Sequence, residues 1–449
     1  MEIKLNQKLY QLAKALPVPL YAVGGVVRNY LIDQSIADDV DLAAPLDADE
    51  FAERAKELGF IIQATYAKTG TVLFTDGQKS YEYTRFRTDS YRGGEHSPCS
   101  VNATDDILLD AKRRDFKCNA IYYDLKNQRI VDPLGGVKDV ENGVLDTVVD
   151  AEQVFMHDGL RIMRLARFCG QLNFKSTTSV LNAAKKYTLN LRDVSVERIF
   201  SELRQILVAD CKYPFSDKSG HYAALKILDE IGALDVVIPE LALGRGMQQR
   251  KDYHDHDVLE HSLRTVLYSP PQIRLAALLH DVGKPYCMKN MGKYYGHENE
   301  GQRIAGDILN RLRADNRTLR RVKALTRLHM IDIDGKMRES KIKRLIIENQ
   351  DLFFDLLALK RADYTACKDQ EGEPIAVEKF ERIYSQMKGD GTPFNLGELK
   401  LDATSLMEIG YSGKEIGKAL EKLFWAAVDN PMLNDRERLK LMARKNFKG

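Results

Sequence analysis

Asp39 and Asp41, in the stretch ADDVDLAA, stand two residues apart. On a β-strand that spacing points both carboxylates to one face. Side by side they repel, and buried without compensation they would shift their pKa values or destabilise the fold. A divalent cation resolves the repulsion. Magnesium takes oxygen ligands and commonly uses one or two carboxylates plus substrate phosphates. Such a pair suits two-metal phosphoryl transfer, in which the attacking and leaving oxygens are both held. A third carboxylate is expected on a neighbouring strand, and Glu82 in YEYTRFR is the candidate. Upstream, Gly24-Gly25 ends an apolar strand just before a helical stretch. Backbone N–H groups at such a turn can meet a triphosphate, with Arg28 one turn into the helix. Asp38 is separated from the pair by the pleat and reads as a cap or a solvent-facing residue.

A second set of groups lies far downstream. Six of the nine histidines fall between residues 254 and 329. His261 sits in DVLEHSLRTV, His280-Asp281 in AALLHDVGKP, His297 in YYGHENEG and His329 in LTRLHM, with Asp363 in LKRADYTA. Imidazole and carboxylate together suit iron, manganese, nickel or zinc better than magnesium. Helices are long enough to bring such distant positions together in a bundle core. His254 and His256 fit no slot and are expected at the surface.

The elements that must position these groups differ between the two ends of the chain. The fold class is α+β: a head with a small, mostly antiparallel sheet, followed by an all-α remainder. PLYAVGG reads as a strand, VVRNYLI as a helix and VDLAAP as a second strand. ADEFAERAKELGF reads as a helix, TVLFTDGQKSYEYTRFR as a hairpin with an Asp-Gly turn, and AIYYDLKNQRIVDP as another hairpin. After residue ~150, apolar residues recur at three- and four-residue spacing to the C-terminus. MHDGLRIMRLARFCGQL and VERIFSELRQILVAD are the first such stretches, both read as helical. The expected segments are a head (1–148), a helical neck (149–215), a helical body (216–370) and a helical tail (371–449).

The 449 residues carry a net charge of +2, with 44% hydrophobic and 29% charged residues. This fits a globular chain of roughly three domains at ~150 residues each. No apolar run approaches the ~20 residues that span a bilayer, and MEIKLNQKLYQLAKAL lacks a signal-peptide core. The six cysteines form no CxxC pair, so neither a disulfide framework nor a cysteine zinc site is indicated. A cytoplasmic protein without membrane contact is expected, and nothing specifies its oligomeric state. Arg311, Arg313, Arg317, Arg320, Arg321, Lys323 and Arg327 crowd one segment. They form either a solvated helix face or a contact for a phosphate backbone.

VGGVVRNYLIDQSIADDVDLA resembles the GGxVRDxLLG…DxD signature of class II tRNA nucleotidyltransferases, the CCA-adding enzymes, and of their bacterial poly(A) polymerase relatives. RRDFKCNAIYYD (113–124), DPLGGVKDVENGVLDTV, HDGLRIMRLARFCGQLNF and VSVERIFSELRQIL continue the resemblance in order, over about residues 20 to 207. The resemblance implies that Asp39 and Asp41 bind catalytic magnesium, with Glu82 helping to position the primer 3′ hydroxyl. It implies that Gly24, Gly25 and Arg28 hold the triphosphate of CTP or ATP. Arg113, Arg114, Asp115 and Asn119 would line the nucleotide site, and Asp158 and Arg161 would read the base edge. A carboxylate accepts from an exocyclic amine and a guanidinium donates to a ring acceptor. Three residues apart on one helix, the two would face the same way. Arg164 and Arg167 continue the stripe, as nucleotide contacts, RNA-backbone contacts or a solvated face. Three residues depart from the pattern: Asn29 for Asp, His157 for the Glu of EDxxR, and Asp146 for the Arg of IRTV. A neutral His157 could accept from Arg161 but is a weaker brace than Glu.

The downstream set resembles the HD superfamily of metal-dependent phosphohydrolases, over about residues 255 to 365. The H…HD…D frame would be His261, His280, Asp281 and Asp363. His297 and His329 fall where two-metal members have further ligands, and Lys284 could contact phosphate. Together the two resemblances imply an enzyme adding CCA to tRNA 3′ ends, with a further phosphohydrolase site. Rivals are a poly(A) polymerase or an enzyme adding only CC or only A. From other classes, they are an HD phosphohydrolase with an RNA-binding head and a non-catalytic RNA-binding protein.

Overall fold

The computed structural model describes residues 3–34, 40–90 and 100–446, so Asp39 lies outside the described residues. Two compact units are present: residues 1–243 with 307–315, and residues 244–306 with 316–449.

The first unit is built on a seven-stranded sheet. Its strands are β1 (Tyr21–Val23), β2 (Val40–Ala44), β3 (Ile61–Tyr66), β4 (Thr71–Thr75) and β5 (Ser80–Arg85). A two-stranded ribbon of β6 (Arg87–Ser90) and β7 (Ser100–Ala103) intervenes before β8 (Tyr122–Asp124) and β9 (Arg129–Val131) close the main sheet. The order is β3-β4-β5-β2-β1-β8-β9. Every pairing is antiparallel except β2 with β5. That parallel pair sets Asp41 opposite Glu82, and β1 sets Val23 opposite Asp41. The Asp-Gly hairpin forms as expected. Asp76 Oδ1 accepts from the Gln78 and Lys79 N–H groups at 2.8 and 2.7 Å, and Gly77 takes φ +90°. Residues 48–57, polar outward and apolar inward, form α3 (Ala48–Glu57) after α1 (Gln7–Ala15) and α2 (Gly25–Asp33). Phe51 of α3 stacks on Tyr83 of β5 with ring centroids 3.7 Å apart, fastening helix to sheet.

Helices α4 (Ile107–Lys112) and α5 (Gly136–Glu141) lead into the neck, where one expectation is corrected. MHDGLRIMRLARFCGQL is not one helix. It breaks into α6 (Ala151–His157) and α7 (Leu160–Leu172), and Asp158 ends α6 in extended backbone at φ −145°, ψ 104°. Gly159 sits at the corner because a Cβ there would stand 2.6 Å from the Asn190 carbonyl oxygen. Asp158 and Arg161 therefore do not share a helix, and their three-residue spacing says nothing about a common face. Helices α8 (Thr178–Lys186), α9 (Val196–Leu207) and α10 (Gly220–Glu230) follow. Helix α7 crosses α10 at paired glycines: a Cβ at Gly170 would stand 2.3 Å from the Gly220 carbonyl oxygen, and one at Gly220 2.2 Å from that of Gly170. Neither backbone can retreat without parting the helices. Gly170→Ala is therefore expected to destabilise this unit by about 3 kcal/mol, at the upper end of overpacking penalties. Thermal unfolding checks it, and an unchanged midpoint contradicts it.

In the second unit, helix Val258–Tyr268 carries His261 and packs on helix Phe353–Lys368, which carries Asp363. Arg274–Leu279 ends at His280, His297 opens the helix to Arg311, and His329 follows Asn316–Leu328. Towards the C-terminus, Leu406, Leu423, Phe424, Val428 and Leu439 form an apolar cluster of their own. Among the described residues, no helix is long and apolar enough to cross a membrane.

Candidate functional sites

In the first unit, the parallel pairing puts Asp41 and Glu82 on neighbouring strands at the same level, so their side chains leave the same face. Gly24, which ends β1, has φ +76°, and its missing Cβ would lie 3.7 Å from Asp41 Oδ2. The turn thus brings backbone against the carboxylate where a side chain would intrude. Gly25 opens α2, whose first N–H groups are unpaired within the helix. A carboxylate face beside a helix N-terminus suits a cation holding phosphate oxygens.

Four residues singled out from sequence form one hydrogen-bonded chain. Arg28 Nη1 donates to Asn119 Oδ1, and Asn119 Nδ2 donates to Asp115 Oδ1 at 3.1 Å. Asp115 Oδ2 takes both Nε and Nη2 of Arg164, at 2.8 and 2.5 Å. Burial opposes ionising Asp115, but Arg164 and the Asn119 amide hold its carboxyl well below the usual range. Arg28 is buried, donates to Asn29 Oδ1 at 3.1 and 2.9 Å and to the Tyr213 hydroxyl at 3.1 Å, and lies over the rings of Phe168 and Tyr213. Asn29, neutral where the motif has Asp, binds this guanidinium without cancelling its charge.

Asp158 and Arg161 have a different setting from the one expected. Asp158 Oδ1 accepts from the Leu160 N–H at 3.0 Å, capping α7. Arg161 lies in the first turn of α7, and its Nη2 donates to the Arg113 carbonyl at 2.6 Å. That carbonyl is a brace in addition to anything His157 supplies. Burial, and then Arg161, push the His157 pKa down, which keeps the ring neutral. Asp146 pairs with Lys117 at 2.5 Å. Arg167 Nε donates to Glu202 Oε2 at 2.6 Å.

Sequence reasoning missed Asp110. Its carboxylate takes Arg113 Nε at 2.7 Å, Arg114 Nη2 at 3.0 Å and the Tyr122 hydroxyl at 2.6 Å, at zero exposure. Its spacing of three and four from the two arginines was the available signal. Burial raises its pKa, but Arg114 and Arg113 outweigh that and bring it from 3.8 to about 2. A depressed carboxylate stabilises the fold above its unfolded pKa, and that contribution is lost as pH falls through the folded value. Asp110→Asn is expected to cost about 2 kcal/mol at neutral pH. It should also flatten the loss of stability between about pH 4 and about pH 2. Unfolding midpoints measured across that range check the prediction, and parallel pH profiles for variant and wild type contradict it.

In the second unit, the downstream histidines and aspartates converge. His261 Nε2 lies 2.9 Å from Asp363 Oδ1, 3.3 Å from His280 Nε2 and 3.5 Å from Asp281 Oδ2. On the other oxygen of Asp281, Oδ1 is 3.2 Å from His297 Nε2 and 3.6 Å from His329 Nε2. The two Nε2 atoms of His297 and His329 are 3.2 Å apart. Asp281 therefore stands between two groups of donor atoms. Four rings have Nδ1 on a backbone carbonyl: His261 on Ala366 at 3.4 Å, His280 on Ala277 at 2.7 Å, His297 on Tyr294 at 2.8 Å and His329 on Thr326 at 2.7 Å. With Nδ1 donating, Nε2 carries the lone pair. Lone pairs facing each other at 3.2–3.3 Å need a proton or a metal ion between them, and a buried set of imidazoles and carboxylates fits metal ions. Burial opposes charging His280, yet Asp281 and Asp363 lift its pKa to about 10. The carboxylates draw positive charge into the cluster. Lys284 Nζ lies 2.6 Å from Asp281 Oδ2 and donates to Gln249 Oε1 at 2.7 Å.

His254 is not a plain surface residue. Its ring is half-buried and meets that of His261 edge-on, centroids 4.8 Å apart. Part of the basic run is committed to ion pairs: Arg311 and Arg313 with Glu240 and Glu197, and Arg321 with Asp355 at 2.5 Å.

Residues 20–146 match the family described as the poly A polymerase head domain. Residues 173–243 match a probable RNA- and SrmB-binding site of polymerase A, and residues 258–366 match the HD domain. The A-adding tRNA nucleotidyltransferase of Deinococcus radiodurans is 30% identical over 363 residues, covering 77% of this chain and 76% of that protein. The CC-adding tRNA nucleotidyltransferase of Thermus thermophilus is 29% identical over 433 residues, covering 92% and 90%. Among solved structures, a Bacillus stearothermophilus CCA-adding enzyme in complex with CTP has a TM-score of 0.67 at 23% identity, over 98% of this chain and 96% of that one. A Thermotoga maritima CCA-adding enzyme complexed with tRNA shares the fold at TM-score 0.62 and 16% identity, over 100% and 99%.

Proposed function

Because the chain belongs to the family of CCA-adding tRNA nucleotidyltransferases, we propose that it adds C, C and A to tRNA 3′ ends from CTP and ATP, in the cytoplasm. The observation that carries this reading is the pairing of Asp41 with Glu82 beside the Gly24 turn. In this reading residues 1–148 are the catalytic head, 149–215 the base-selecting neck, 216–370 the body and 371–449 the tail.

Asp39 and Asp41 would hold magnesium, which supplies charge neutralisation for the attacking 3′ hydroxyl and the leaving pyrophosphate. Glu82, level with Asp41, positions the primer hydroxyl. The Gly24-Gly25 turn and the α2 N-terminus take the triphosphate. Arg28, held between Asn119 and Tyr213, adds positive charge behind that turn rather than a freely swinging contact. Arg113 and Arg114, oriented by Asp110, face the nucleotide. Asp158 accepts from the exocyclic amine common to C and A, and Arg161, braced on the Arg113 carbonyl, donates to the neighbouring acceptor.

A partial enzyme, adding only CC or only A, is the second reading. His157 in place of Glu favours it, since a neutral ring braces Arg161 less firmly. Purified protein with tRNA lacking CCA, lacking CA and lacking A, each given CTP or ATP alone, distinguishes the readings. Full activity requires C on the first two substrates and A on the third. Addition confined to one nucleotide selects the partial enzyme, and long A tracts select a poly(A) polymerase.

The body is proposed to carry a metal-dependent phosphohydrolase site. His261, His280, Asp281 and Asp363 would hold one transition-metal ion, such as iron, manganese, nickel or zinc. Asp281, His297 and His329 would hold a second. The bound metal supplies a water activated for attack on a phosphate ester. Lys284 is placed to meet the phosphate beside Asp281.

A further inference from the structure

Two side chains beside the HD centre, His254 and Cys367, have no place in its H…HD…D frame. Their ligand atoms and that of His261 lie within 4.8 Å of one another. The cluster is held together by backbone. The Asp255 N–H donates to the Cys367 carbonyl at 3.0 Å, tying the 254–256 segment to the end of helix Phe353–Lys368. One residue further, His256 Nε2 lies 3.5 Å from Asp369 Oδ2, and Asp369 also accepts from the Tyr268 hydroxyl at 2.7 Å and pairs with Arg264. His254 Nδ1 is buried and has no hydrogen-bond partner. Cys367 is half-buried, so the cluster sits near the surface.

We propose that His254, His261 and Cys367 form a further binding site for a thiophilic divalent ion, zinc or cadmium, which overlaps the HD centre at His261. Two imidazoles and a thiolate supply three of the four positions of a tetrahedral site, with water in the fourth. Bonds of about 2.1 Å to nitrogen and about 2.3 Å to sulfur place ligands about 3.3–3.8 Å apart, so the cluster closes by roughly 1 Å around the ion. That is within reach of side-chain rotation. On binding, the thiol proton leaves to solvent and a sulfur–metal bond forms, with no change of oxidation state. An orphaned imidazole nitrogen thereby gains a partner. His261 belongs to both sites, so an ion here competes with the HD centre for it. This competition rests on the HD reading, whereas the binding itself does not.

The test uses the reduced full-length protein titrated with cadmium, read by the ultraviolet charge-transfer absorbance of the sulfur–cadmium bond. Wild type is expected to saturate at one cadmium-bound thiolate. Cys367→Ser should lose that absorbance, and His254→Gln should weaken cadmium binding by at least about tenfold. Cys211→Ser, which removes an exposed thiol, should leave it intact. Full absorbance in Cys367→Ser, or unaltered affinity in His254→Gln, overturns the proposal. If His261 is shared, Asp281→Ala, which dismantles the HD centre, tightens cadmium binding severalfold, and unchanged affinity overturns the sharing. A wild-type protein without HD metal sinks the HD reading while the cadmium absorbance still stands.

Discussion

Asp41→Asn is expected to lower nucleotide addition by about 10³-fold or more, equivalent to about 4 kcal/mol of transition-state stabilisation. The loss should fall on kcat rather than on the KM for tRNA, because in the proposed reading the carboxylate would act where charge develops during transfer. Asn conserves the shape of a half-buried side chain on β2, so thermal unfolding should be unchanged. The position is unforgiving. Asp41 lies against the Gly24 turn on one side and opposite Glu82 on the other, and the amide cannot replace a negatively charged metal ligand. Rates of single-nucleotide addition under saturating CTP check it. A variant within tenfold of wild type would remove Asp41 from the chemistry.

Asp281→Ala carries the second large effect. Both of its oxygens are engaged, Oδ2 with His280 at 3.3 Å and Oδ1 with His297 at 3.2 Å, so its loss would remove a ligand from both of the proposed metal positions at once. Transition metal that co-purifies with wild type is expected to fall to background in the variant. Addition of nucleotides to tRNA should continue, since the carboxylates of the head lie in the other unit. Removing one partner of a buried charged cluster also costs about 3–5 kcal/mol, here in the second unit. Asp281→Asn therefore serves as the companion, keeping the packing while removing the charge. Equal metal content in wild type and both variants contradicts the site.

Local periodicity made part of this architecture legible. The apolar run around Asp41 was legible as the strand that is β2, and Glu82 could be singled out because a second strand carried the next acid. The Asp76-Gly77 turn declared its hairpin. What failed depended on partners distant in sequence. The break at Asp158 comes from the carbonyl of Asn190, which only Gly159 can approach. The brace on Arg161 is a main-chain carbonyl, which has no side-chain signature. Glu202 meets Arg167 across 35 residues, and His254 reaches His261 because its neighbour hydrogen-bonds to Cys367. Arg28 was legible as a cation near a phosphate turn, but not as a residue enclosed by Asn119 and Tyr213.

The most direct measurement is the sequence of tRNA 3′ ends after incubation of a tRNA lacking CCA with the protein, CTP, ATP and magnesium. Ends completed to CCA by wild type, and left unextended by Asp41→Asn, are the predicted result. Ends unextended by wild type, or completed equally well by Asp41→Asn, would contradict the account.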